Sequence, residues 1–121
     1  MALMIFFVSS FLNYVTNISD SENYITLSIM SMDGNAFCQL SYYQSESHKM
    51  YLSDLNVNNK LRGHGLGNGI ITEAIRIARK RGCKYLYLDS KKLPWLFSWY
   101  MNLGFIRYTD TDEYYSMFKE L

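Results

Sequence analysis

The chain has 121 residues, of which 49% are hydrophobic and 17% aromatic, including eleven tyrosines. That length fits one domain with a two-layer core, and that composition excludes a disordered tail. A formal net charge of +1 leaves no electrostatic footprint for nucleic acid or an anionic membrane.

The opening M-A-L-M-I-F-F-V-S-S-F-L lacks the positive start and the small-residue cleavage pattern of a signal peptide. It is also too short to cross a bilayer. Residues 2–8 therefore read as a strand covered on both faces. Residues 9–22 are polar and suggest one short helix around Ser10 to Tyr14. Asn17-Ile18-Ser19 matches a glycosylation acceptor, which would go unused in a cytoplasmic protein. Asn23 to Met32 alternates as a strand. Met32-Asp33-Gly34-Asn35 signals a hairpin, and Ala36 to Tyr43 returns from it. Gln44 to Lys49 is a polar turn. Cys38 and Cys83 lie far apart with no C-x-x-C and no metal spacing. They read as reduced core residues of an intracellular protein, although sequence alone leaves a bridge open.

Met50 to Val57 reads as the next strand, with Leu55 and Val57 on one face and Asp54 and Asn56 on the other. A turn carrying Gly63, Gly65, Gly67 and Gly69 follows and opens into a helix over 66–81. Leu66, Ile70, Ile71, Ala74, Ile75 and Ala78 form its apolar stripe, and Gly82 stops it. Glycines let backbone N–H groups approach a ligand, and a helix start offers unpaired donors with a partial positive charge. Such a turn suits an anion, a pyrophosphate above all. The spacing fails Gly-x-Gly-x-x-Gly, because Asn68 and Ile70 stand where the third glycine belongs. The absence of Gly-Lys-Ser/Thr excludes a P-loop. Cys83 to Asp89 is a further strand, and the strand–helix–strand order predicts a parallel pair by right-handed crossover. Pro94 fits the first turn of a helix running to about Leu103. Phe105 to Tyr108 and Tyr114 to Phe118 then pair across an acidic turn. The expected fold class is α/β, a mixed sheet with antiparallel early strands, a parallel central pair and flanking helices, all in a single domain over 1–121.

Arg62-Gly63-His64-Gly65-Leu66-Gly67, with Val57 five residues ahead of Arg62, resembles the acetyl-CoA-binding motif of the GNAT superfamily of N-acetyltransferases. Tyr100-Met101-Asn102-Leu103-Gly104-Phe105 is similar to that family's Y-x-x-x-G-F, and the resemblance covers roughly residues 49–108. It implies that the strands flanking the helix splay and that acetyl-CoA lies between them. The backbone of Leu55 and Val57 would bond the pantetheine arm. The amides from Gly63 through His64, Gly65, Leu66 and Gly67 to Asn68 would hold the pyrophosphate, with Arg62 and Lys60 adding charge nearby. Tyr100 would act as general acid toward the departing thiolate, since an ordinary phenol is protonated at neutral pH. Asp54 is the candidate base for the amine, with a purely electrostatic or solvated role left open beside it. Leu93 stands where the family often places an Asn, leaving Ser90 or Ser98 as substitutes. The implied reaction is acetyl transfer to a primary amine, on a small molecule or a peptide. A coenzyme-binding regulatory domain without turnover, and an interaction protein with a vacant cleft, remain open beside it. Tyr108, Tyr114 and Tyr115 admit a homodimer, and no metal is expected.

Overall fold

In the computed structural model residues 2–9, 14–58, 60, 63 and 65–121 are described, the first eight by backbone alone. Residues with period-two alternation form eight strands and those with helical spacing form two helices. In chain order these are β1 (Ala2–Ser9), β2 (Tyr14–Ser21), β3 (Tyr24–Ser31), β4 (Ala36–Tyr43), β5 (Lys49–Val57), α1 (Leu66–Lys80), β6 (Tyr85–Lys91), α2 (Pro94–Asn102), β7 (Ile106–Asp110) and β8 (Tyr114–Glu120). One sheet contains all eight strands, in the order β1-β2-β3-β4-β5-β6-β8-β7. Every neighbouring pair is antiparallel except β5 and β6.

The first strand forms where it was expected, and the polar segment after it differs from expectation. β1 is an edge strand that pairs with β2 alone. The helix expected around Ser10 to Tyr14 falls mostly outside the described residues, since only Tyr14 is described there, and Tyr14 opens a strand. The polar residues of 14–21 alternate with Thr16 and Ile18 on the covered side, and that alternation suits a strand better than a helix.

Ladder registers place both helices on one face. Leu27 pairs with Leu40, Leu40 with Leu52, Met50 with Leu86, and Leu88 with Met117. All of these are buried, and they form one core with Ile70, Ile71, Ala74 and Ala78 of α1 and Tyr100 of α2. The cause is handedness. The steps β5 to β6 and β6 to β7 run in the same direction across the sheet, and two right-handed crossovers in one direction leave their helices on one side. No helix among the described residues covers the other face.

Glu73 is 1% exposed on α1, bonded through Oε1 to the Arg76 guanidinium. Its Oε2 has no partner among the described residues. Cys38 and Cys83 are buried free thiols, and burial pushes Cys38 up to about 12, so neither is poised for reaction at neutral pH.

Both helices end in the same way. After α1, Gly82 N–H donates to Arg79 and Cys83 N–H to Ala78, while Gly82 takes φ +83°. After α2, Gly104 N–H donates to Met101 and Phe105 N–H to Tyr100, with Gly104 at φ +95°. A left-handed residue closes each helix and satisfies its last carbonyls. Gly82→Ala is expected to cost about 1–2 kcal/mol, read as a lower urea midpoint with an unchanged slope.

Candidate functional site: a cavity at the head of α1

The hydrogen-bond ladder between β5 and β6 has only three residue pairs, Lys49–Tyr85, Met50–Leu86 and Tyr51–Tyr87. Past them the two strands diverge. On its other side β5 remains paired to β4, through a bulge that sets Ser53 opposite Gln39 and Asn56 opposite Phe37. The extra residue sits at Asp54, which takes the left-handed φ of +54°. Met50 and Leu52 are buried before the bulge, and Leu55 and Val57 point into the cavity after it. The inward face thus changes from even to odd positions there, and Ser53 and Asp54 are both left exposed.

The turn after β5 builds the other wall. Lys60 N–H donates to Asn58 Oδ1, and the Lys60 side chain is exposed. Gly63 and Gly65 have φ of +86° and +81°, with open space where a side chain would stand. These two glycines are needed for backbone conformation, not for room. Gly65 is the N-cap of α1 and supplies no side-chain bond, and the first helical bond runs from Gly69 N–H to Gly65. The amides of Leu66, Gly67 and Asn68 therefore have no helical acceptor. The first turn carries no acid, and Arg79 and Lys80 sit in the last. All of this favours an anion at the head of the helix.

A third wall comes from α2. Trp99 donates from Nε1 to Asn68 Oδ1 at 2.7 Å. A Cβ on Gly67 would stand 3.3 Å from the Trp99 ring, so this glycine does provide room. Between the walls lies a cavity of about 430 Å³, lined by Leu55, Val57, Gly63, Gly65, Leu66, Gly67, Asn68, Trp95, Leu96 and Trp99. It is apolar on the strand and α2 sides and carries backbone donors at the turn, which fits a long ligand with an anionic end.

Seven of the residues singled out from sequence thus meet in one cavity: Leu55, Val57, Gly63, Gly65, Leu66, Gly67 and Asn68. Arg62 and His64 lie outside the described residues. Asp54 is exposed and does not line the cavity. Tyr100 does not line it either. It is 6% exposed, packed on Trp99 at 5.0 Å and Phe105 at 5.8 Å between ring centroids. Ser90 is fully buried and donates to the Lys91 carbonyl, and Ser98 is exposed; neither lines the cavity. Trp95 and Trp99 were not anticipated. Their spacing of four on one helix, beside the Tyr100 motif, is the signal that could have marked them. Among the described residues no group of His, Cys, Asp or Glu could hold a metal, and no helix is long and apolar enough to cross a membrane.

With the site in view, relatives can be compared. The sequence pattern of the Acetyltransferase (GNAT) family matches residues 29–105, more than half of the chain. The chain belongs to that family, whose members use acetyl-CoA. Curated proteins yield no match. Among solved structures it is similar to the PaiA N-acetyltransferase of Thermoplasma acidophilum in complex with coenzyme A, with 20% identity and a TM-score of 0.68. That match covers 82% of this chain and 62% of the other, so the chain spans under two thirds of that enzyme's length. The ribosomal-protein-S18-alanine N-acetyltransferase of Escherichia coli is 20% identical over 84% of this chain and 71% of its own, with a TM-score of 0.65. A nourseothricin acetyltransferase matches 99% of this chain and 86% of its own, at 20% identity and a TM-score of 0.61.

The Tyr100 phenol has a measurable signature. Burial, followed by the nearby Cys38 thiol, raises it from 10.0 to about 12. The unfolded chain ionises this phenol near the lower value and the folded chain near the upper one. Its stabilising effect is therefore intact below about pH 10 and lost as pH climbs toward about 12, an effect on the order of 2 kcal/mol. Wild type should lose more stability than Tyr100→Phe across that window, read by urea unfolding at each pH.

Proposed function

We propose that the protein transfers an acetyl group from acetyl-CoA to a primary amine by direct attack in a ternary complex. The observation that carries this reading is the cavity that joins the diverging part of β5 to the first-turn amides at the head of α1, which have no hydrogen-bond acceptor among the described residues. Backbone amides of Leu66, Gly67 and Asn68, with those of Gly63 and Gly65, would hold the diphosphate. Strand β5 past its ladder with β6 would offer its backbone at Leu55 and Val57 to the pantetheine amides. Trp95, Leu96 and Trp99 would keep water from the apolar arm. Acetyl-CoA supplies the thioester.

The amine nitrogen attacks the thioester carbonyl. A C–N bond forms, the C–S bond breaks, the ammonium proton leaves to a base and the departing thiolate takes up a proton. Tyr100 is the proposed donor to that sulfur. Its phenol is protonated at neutral pH, and it packs directly on Trp99, which lines the cavity. Asp54 is the proposed base, acting on an amine that arrives from the exposed side of the bulge. The acceptor is a small-molecule or peptide amine, and the setting proposed is the cytoplasm.

A second reading, coenzyme binding without turnover, draws on the packing of Tyr100 in the core and on the positions of Ser90 and Ser98, neither of which lines the cavity. Thiol release from acetyl-CoA with a panel of amines separates the two. Turnover is expected for wild type, with kcat lowered about a hundredfold in Tyr100→Phe and coenzyme affinity unchanged. Tight coenzyme binding with no turnover on any amine would favour the second reading.

A further inference from the structure

The face of the sheet that no helix of the described residues covers carries an aromatic cluster beside the point where β5 and β6 part. Tyr51 and Tyr87 form the last pair of the parallel ladder, their rings 5.5 Å apart. Tyr87 in turn lies 6.0 Å from Phe118 and 5.9 Å from Tyr108, and Tyr108 is 5.9 Å from Phe118. Tyr51 is 51% exposed and Tyr108 54%. Core formation does not account for such a cluster, because the core lies on the opposite face. One row further along, on the same face as Tyr87, stands the exposed carboxylate of Asp89, which accepts a bond from Ser116 at 2.8 Å. Asp54 stands exposed on the neighbouring strand.

We infer that this aromatic cluster with Asp89 recognises the acceptor, and that the acceptor is a primary amine carried on a flat aromatic ring. The inference rests on the acetyl-transfer reading of the cavity. A thioester lodged where the strands part is screened on the helix side by α1, α2 and the buried Leu52, Leu86 and Leu88. An acceptor must therefore arrive from the bare face, across Tyr51 and Tyr87. Rings offset or edge-on to those tyrosines gain more than buried area alone. The ammonium needs a carboxylate within reach, and Asp89 is placed to supply it. A peptide would want a free strand edge, but at Tyr51, Tyr87 and Phe118 the strands are paired on both sides, and the free edge at β7 lies two strands beyond β6. A polyamine would want a run of acids. The outer row instead mixes Lys49 with Glu120 across Tyr85.

The test compares 2-phenylethylamine with n-hexylamine and spermidine as acceptors, in wild type, Tyr51→Thr and Tyr108→Thr. Threonine keeps the strand preference while removing the ring. Wild type should favour 2-phenylethylamine over n-hexylamine by about tenfold in kcat/KM, and each substitution should raise KM for the ring-bearing amine alone. Equal rates for the two amines, or losses shared by both, would overturn the inference. A readout independent of turnover is the titration of 2-phenylethylammonium into protein with coenzyme A, followed by NMR of the tyrosine rings. Shifts at Tyr51 and Tyr87 in wild type, with the Tyr87 shift lost in Tyr51→Thr, support the inference, and unmoved rings refute it. Calorimetry with coenzyme A alone reports separately on the cavity, so failure there is distinguishable from failure here.

Discussion

Three residue pairs hold β5 to β6, and then the ladder stops. A parallel pair at the centre of a sheet would ordinarily continue, because unbonded backbone groups are costly unless something else satisfies them. Here the bulge at Asp54 turns β5 away while β4 keeps hold of its other edge. The cavity lies beside that divergence, and the proposed access from the other face depends on it. A sheet paired throughout would have the same core and no place for a ligand.

The head of α1 complements the opening. An N-cap without a side chain gives its donors no side-chain partner, a choice that weakens an isolated helix, since serine or aspartate at that position is worth about 1 kcal/mol. A carboxylate cap would also place negative charge where the diphosphate is proposed to sit. Glycine keeps the donors open. Trp99 then ties α2 to that same turn through Asn68, so the two walls of the cavity are fixed to each other and not only to the sheet.

Much of this could be read from residues. The glycine turn, the apolar stripe of α1 and the alternation of β3 to β6 appear where spacing put them, because each is a local pattern with one buried face. Two features could not. Asp54 takes a left-handed conformation that its residue type does not announce, and the bulge there reverses which positions face inward. Residues 14–21 are polar enough to resemble a loop, yet they lie in a sheet because β1 and β3 bond both their edges. The Tyr100 motif proved ambiguous for a physical reason. Tyr100, Gly104 and Phe105 form the cap that ends α2, with a ring contact between its first and last members, so spacing alone serves capping as well as chemistry. The placement of both helices on one face follows from the handedness of two crossovers, and it exposes Tyr108 and Tyr114 of the suggested dimer surface while Tyr115 packs against the core and Phe97.

The most direct measurement of the central claim is a titration of the isotope-labelled protein with coenzyme A, followed through its backbone amide resonances. The account predicts the largest shifts at Leu66, Gly67 and Asn68, accompanied by Leu55 and Val57 on the diverging strand. Coenzyme binding that leaves those amides unmoved, or no binding at all, would contradict it.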